Sequence, residues 1–450
     1  MEHKQRKQRT PEAPLREQDI VCLGHLRRVL PLLEKLHEVG CERDTAGNRE
    51  LFFDDYCKLV LLYVWNPLID SVRTLQQACG LPNVAKALGV KRFSLGSFSE
   101  APAVFDPEAL KPVVAELAGE LRRLPAAGDP RLRDPRLRDP RLKDLKHAVT
   151  LVDSTVLTAL TRLARSAAGA PGPDGIPPTR CSTSPDGKPV HGWRLHTQLD
   201  LDTFAPHRVD RTGARNAGAD CESKVLRRNL EAGRCYVGDG GYVDRTLLDE
   251  IVGRRSSYVI HLRDNCAFEV IRERLLSDEA LAAGVVRDAV VDLGTAGTRQ
   301  SKPMGHPVRL VAVQVTPHPR RTRKGTRQSD LILLATSLID LPAELVALIY
   351  LYRYTVELFF RFFKQLLGMR HLLSQRPAGV DVQVHCTVIV CLLVCLITGT
   401  KPSKSNVNMV GWYLIGLATE AELIAHLRRP DNTGVKLRAK DALWKKLGVN

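Results

Sequence analysis

Apolar residues recur at helical spacing across residues 51–65, and two shorter helical stretches flank Gly80-Leu81-Pro82 and Leu88-Gly89-Val90. From residue 147 the period changes. Short β-rich runs at 149–157, 193–201, 204–211, 235–237 and 257–263 predict strands, with helices at about 219–231 and 244–254. Three antiparallel strands followed by alternating helix and strand predict an α/β fold, a mixed sheet flanked by helices. Near the C-terminus, 345–367 predicts one helix whose apolar wall is Leu345, Leu348, Ile349, Tyr352, Val356, Phe359 and Phe363.

Punctuation divides the chain further. Residues 1–17 form a basic, polar tail, and 18–120 a helical N-terminal region whose part at 75–98 resembles a helix-turn-helix only loosely. Residues 121–146 are a linker. They carry the repeat Asp129-Pro-Arg-Leu-Arg, Asp134-Pro-Arg-Leu-Arg, Asp139-Pro-Arg-Leu-Lys, in which a Pro every five residues prevents continuous helix. The sheet region occupies 147–263 and resumes at 331–372. Between them, 264–330 is a β-rich insertion with strand-like runs at 285–291 and 308–315. A helical region fills 373–450. Its most apolar run, 386–397, is shorter than the roughly 20 residues that cross a bilayer, so no membrane role is expected.

Charge narrows the partner. The 450 residues carry a net charge of +16, which favours a polyanion and makes nucleic acid the leading candidate. Basic residues gather at Lys4, Arg6, Lys7 and Arg9, at Arg320, Arg321, Arg323, Lys324 and Arg327, and between Lys436 and Lys446. The 11 cysteines lack paired zinc-type spacing; without a signal peptide they predict reduced thiols in a cytoplasmic protein.

The candidate chemistry lies beside the apolar wall of the 345–367 helix. Tyr350, Arg353, Glu357 and Lys364 fall within a sector of roughly 60° on an ideal helix, and Arg361 joins them. One carboxylate among cations suits a metal-binding acid surrounded by phosphate-binding groups. The same i, i+4, i+8 spacing of Arg353, Glu357 and Arg361 also suits a solvated ion-pair ladder. Two aspartates upstream favour the first reading. Asp153 stands inside a buried-strand pattern, where a carboxylate is costly unless it is paired or bound to metal. Asp239 follows a short strand in Gly238-Asp239-Gly240-Gly241, at a strand-to-helix handover where open α/β sheets place their sites. Each has a plainer reading, as a strand-end Asp bonded to backbone and as an ordinary Asp-Gly turn. Asp200, Asp202, Asp210 and Asp244 compete for the role, whereas His196 and His207 lack metal-ligand spacing. Three carboxylates with no His or Cys pattern would favour Mg²⁺ or Mn²⁺.

The run Tyr350, Arg353, Glu357, Lys364, with two, three and six residues between them, resembles the signature of the insertion-sequence-four group of DDE transposases. The flanking runs 331–338, 341–345 and 257–265 resemble the strands and lead-in of that group. The resemblance covers roughly residues 65–400. Departures are the paired glycine after Asp239 and Tyr354 after Arg353. The resemblance implies an RNase H-like core with Asp153, Asp239 and Glu357 as catalytic acids holding two Mg²⁺ or Mn²⁺ ions. Tyr350, Arg353, Lys364 and Arg361 would bind DNA phosphate. It also implies cleavage at the ends of a mobile element, joining of the 3′-hydroxyl to target DNA, and a homodimer holding two double-stranded ends. An RNase H-like nuclease without strand transfer, or a catalytically silent DNA-binding descendant, are the alternatives. In that group the insertion supports a flipped base, often with Trp; 264–330 contains no Trp, leaving His306, His318 and the arginines.

Overall fold

The computed structural model describes residues 29–41, 47, 49–65, 69, 71–90, 92–123, 145–158, 179–183, 189–201, 203, 205–263, 266–293, 304–315, 331–368, 372–374, 376–398, 405, 408, 409, 412 and 417–428. The basic tail, the Pro-Arg repeat, the Arg320–Arg327 run, His318, Asp202 and the basic C-terminal stretch lie outside them.

The described strands build one sheet. They are β1 (Ala148–Thr158), β2 (Thr179–Thr183), β3 (Pro189–Asp200), β4 (Ala205–Gly213), β5 (Arg234–Gly238), β6 (Ser257–His261), β7 (Phe268–Glu273), β8 (Val285–Leu293), β9 (Val308–Gln314) and β10 (Leu331–Thr336). β4, β3 and β1 pair antiparallel in that order, and β1, β5 and β6 run parallel. This is the strand order of an RNase H-like sheet, as expected from the sequence. β2 extends the β3 side.

The far side of the sheet differs from the simple picture of an inserted unit. β10 pairs antiparallel with β6, and β9, β8 and β7 continue outward from it in the same sheet. β7, β8 and β9 therefore lengthen the core sheet. Arg309 anchors the extension. It is almost wholly buried, makes two contacts to the Asp288 carboxylate at 2.7 and 2.8 Å, and donates to the carbonyls of Leu338, Ile339 and Leu341. It thereby fastens the connection that leaves β10.

Both faces of the central strands are buried, which explains their continuous apolar character. Leu151, Cys235, Val237 and Val259 face one core; Val152, Tyr236, Tyr258 and Ile260 alternate to the other. The second core is covered by α6 (Glu222–Arg228) and α7 (Arg245–Gly253). The first is shared with α9 (Ala343–Leu351), α10 (Tyr354–Gly368) and α11 (Pro377–Thr398), and with the N-terminal helices α1 (Phe53–Trp65), α2 (Val72–Cys79), α3 (Pro82–Leu88), α4 (Leu95–Glu100) and α5 (Lys111–Arg123). Short α8 (Asp278–Ala282) and α12 (Glu420–Arg428) are two further helices.

Two expectations change. α11 has 22 residues, longer than the apolar run suggested, and is long and apolar enough to cross a bilayer. Nearly all of it is buried against α1, α5 and β4, which makes it a core helix of this fold. The single helix expected at 345–367 is two helices. Tyr352, Arg353, Thr355 and Val356 bond back three residues, not four, so a tight turn separates α9 from α10. No Pro or Gly marks the break. A polar anchor on Arg353, described next, sits at it, beside the stiff β-branched pair Thr355-Val356. All seven residues of the expected apolar wall are buried despite the break.

Candidate active site

Strand alternation places the two aspartates. Leu151 and Val237 are partners in the parallel β1–β5 register, and both face the core that α10 covers. Asp153 and Asp239 lie two residues beyond them, so each repeats its predecessor's facing on neighbouring strands about 4.8 Å apart. Asp239 ends β5 and caps a single 3-10 turn, its Oδ1 accepting from the Gly241 N–H at 2.8 Å. None of Gly238, Gly240 and Gly241 has a positive φ. They are needed for room. A Cβ on Gly238 would meet Tyr242 at 2.7 Å, one on Gly240 would meet the Arg263 side chain at 2.8 Å, and one on Gly241 would collide with the Glu222 carboxylate.

Glu357 arrives from the first turn of α10, and Arg353 joins it to the sheet. The Arg353 guanidinium donates through Nη1 to Asp153 Oδ2 at 3.3 Å and through Nη2 to Glu357 Oε1 at 2.6 Å. Its side chain is only 18% exposed. Tyr350 completes the group: its hydroxyl lies near Arg353, Asp239 and Glu357, burial pushes that hydroxyl up to about 12, and its ring packs 6.0 Å from His261. The structure thus brings Asp153, Asp239, Glu357, Arg353 and Tyr350 together. Arg361 and Lys364 stand exposed further along α10 and do not join the acids.

Asp153 is the electrostatically unusual member. Burial raises its carboxyl to about 7; Arg353 and the Ser154 N–H pull it down, while Asp239 and Glu222 push it further up. One guanidinium does not compensate the loss of water around these acids. The donors fit a hard divalent cation: they are all oxygen, they project from adjacent strands and a facing helix, and they are short of positive charge. Among the described residues no three His, Cys, Asp or Glu side chains already stand close enough to chelate one ion. Arg353 lies between Asp153 and Glu357, so an ion bridging those two requires the guanidinium to move.

The competing acids have other work. Asp200 pairs with Arg234 at 2.7 Å, Asp210 with Lys111 at 2.9 Å and Arg208 at 2.7 Å, and Asp244 caps α7. His196 is buried against the Thr212 hydroxyl. His306 is held by the Tyr258 hydroxyl and Asp249, both at 2.9 Å, which removes it as a stacking platform. Sequence reasoning missed three neighbours. His261 and Arg263 border the Asp239 turn from the end of β6, and Glu222 lies under it. Only the adjacency of 261–263 to a strand end could have flagged the first two.

Fold and site together define an RNase H-like α/β protein with an acid-and-arginine centre at the edge of its parallel strands. Residues 144–393, more than half the chain, match the family model described as transposase DDE domain, and the chain belongs to that family. It is 26% identical over 210 residues to a protein of Sinorhizobium fredii described as a transposase, y4zB, covering 46% of this chain and 54% of that one. It is also 26% identical over 228 residues to a transposase for insertion sequence element IS5377 of Geobacillus stearothermophilus, covering 49% and 54%. The chain thus spans about half the length of these curated relatives. A piggyBac transposase synaptic complex with hairpin DNA aligns over 95% of this chain and 85% of that one, at 10% identity and a TM-score of 0.39.

Proposed function

We propose that the protein is a transposase of the insertion-sequence-four group that binds the double-stranded ends of a mobile element, cleaves them, and joins the freed 3′-hydroxyls to target DNA. Asp153, Asp239 and Glu357 would hold two Mg²⁺ or Mn²⁺ ions. Bound there, such ions supply Lewis-acid charge neutralisation on both sides of a phosphodiester and activate the attacking oxygen. The chain itself does the rest. The β1–β5 register fixes two carboxylates side by side. Arg353, a planar fork, exchanges its acid partners for a phosphate and releases Asp153 and Glu357. The Tyr350 hydroxyl steadies that fork. Arg361, Lys364 and Arg263 line the approach as backbone contacts. Two ends must meet for paired insertion, so a homodimer is part of the proposal, as is a cytoplasmic, nucleoid-bound location.

The observation that carries this reading is the convergence of Asp153 on β1, Asp239 after β5, and Arg353 and Glu357 at the start of α10. The test is a plasmid carrying the DNA that flanks the coding region, incubated with protein, Mg²⁺ and a target plasmid. End cleavage followed by joined products is expected. Asp153→Ala, Asp239→Ala and Glu357→Ala should each abolish cleavage and leave DNA binding within a few fold. Cleavage without joining would reduce the proposal to a nuclease; cleavage by any of the three variants would remove that residue from the catalytic set.

A further inference from the structure

Glu222, in the first turn of α6, is a fourth carboxylate beside the two aspartates. Its side chain is 11% exposed and fully engaged. Oε1 accepts from the Ser154 hydroxyl and from Arg194 Nη1 at 3.2 Å; Oε2 accepts from Asn216 Nδ2 at 2.9 Å. Arg194 also donates to the Ser154 hydroxyl at 2.7 Å. Asn216 closes the loop by accepting the Glu222 backbone N–H at 3.0 Å.

This network touches both aspartates through their chain neighbours. The Ser154 N–H donates to Asp153 Oδ1 at 2.7 Å, while the Ser154 hydroxyl is tied to Glu222 and Arg194. On the other strand, Gly241 donates to Asp239 Oδ1 and packs directly over Glu222 Oε2, with no space for a Cβ. Tyr242 lies against the same group: burial above all, and then Glu222, Asp153 and Asp239, raise its hydroxyl well above the ordinary tyrosine range. Arg194 reaches this cluster from β3, opposite the side occupied by Arg353. Arg353 bridges the acids toward α10; Arg194 offsets the charge of Glu222 beneath them.

We infer that Glu222 is the positioning residue of the Asp153–Asp239 pair: it locks Ser154 and the Gly240–Gly241 turn in place, and so sets the two carboxylates for a divalent ion without touching that ion. The inference rests on the metal-holding role proposed above. Groups that orient a first ligand shell through hydrogen bonds typically change metal affinity 10–100-fold when removed.

The test is Mn²⁺ binding by isothermal titration on the full chain, with thermal melting to verify folding. Glu222→Ala should weaken Mn²⁺ at least about tenfold. Glu222→Gln keeps an acceptor for Ser154 and Arg194 but sets its amide N–H against Asn216 Nδ2, so its affinity should fall between wild type and Glu222→Ala. Ser154→Ala, which removes the hydroxyl held by Glu222 but leaves the residue 154 N–H on Asp153, should weaken Mn²⁺ several-fold. Should Glu222→Ala fail to fold, Ser154→Ala and Glu222→Gln decide the question alone. Wild-type affinity in Glu222→Ala or Ser154→Ala overturns the inference. An equal loss in Glu222→Gln and Glu222→Ala also overturns it, since the charge would then be acting as a direct ligand. Asp153→Ala is the control. If it binds Mn²⁺ as wild type does, the metal reading itself falls; if it loses the ion while Glu222→Ala keeps it, only the positioning role falls.

Discussion

Arg353 donates to Asp153 across 200 positions of sequence, and the same guanidinium holds Glu357 one helical turn away. A cation of the protein thus sits where the proposed reaction needs metal. Arg353→Ala should therefore strengthen Mn²⁺ binding in the absence of DNA, by about tenfold for the removal of one competing charge-assisted contact. The same variant should cleave DNA poorly, because the phosphate loses its fork. Titration calorimetry and a cleavage assay read the two effects. Weaker Mn²⁺ binding in Arg353→Ala would mean that the arginine supports the ion and does not stand in for it.

Asp153 carries a stability cost. Its carboxyl titrates near 7 in the fold, above the ordinary 3.8. The folded chain holds that proton more tightly, so the group's contribution is fully present below about pH 4 and is lost as pH rises through 7. Asp153→Asn should stabilise the chelator-treated protein at pH 8 by about 2–4 kcal/mol, and by little at pH 4. Urea unfolding at the two pH values measures this. A destabilised Asn variant at pH 8 would show that the Arg353 contact outweighs burial.

His196 predicts the opposite slope. It is buried against Thr212, and burial lowers it from 6.5 to about 4. Its contribution is full above about 6.5 and is lost as pH falls toward 4, amounting to about 3 kcal/mol at most. His196→Gln should flatten that part of the pH–stability curve. An unchanged slope would assign the acid sensitivity to other groups.

Arg309 joins the sheet extension to the connection entering α9. Arg309→Met leaves the buried Asp288 carboxylate to Arg274 alone, 3.4 Å away, and strands three carbonyls, so a loss of about 3 kcal/mol is expected in chemical denaturation. A loss below about 1 kcal/mol would show that the extension does not brace the connection.

Much of this architecture is legible in the chain because burial leaves a pattern. Residues 235–237 and 258–260 are continuous apolar runs because both sheet faces are covered, and the Arg353–Glu357 spacing survives as a one-turn contact. What stayed hidden has no periodic trace. The break between α9 and α10 coincides with the Arg353 contact to Asp153, and local sequence offers no Pro or Gly to announce it. Strands 268–314 look the same in sequence whether they form a separate unit or continue the sheet; only the pairing of β10 with β9 decides. Glu222 looks like any acid in the first turn of a helix. Its character comes from Ser154 and Arg194, 68 and 28 positions away.

The most direct measurement is anomalous diffraction from crystals of the protein bound to an end-derived DNA duplex and soaked in Mn²⁺. A manganese peak within about 2.3 Å of carboxylate oxygens from both Asp153 and Asp239, with Arg353 turned onto a phosphate, is the expected map. Manganese bound elsewhere, with Arg353 still bridging Asp153 and Glu357 in the presence of DNA, would contradict it.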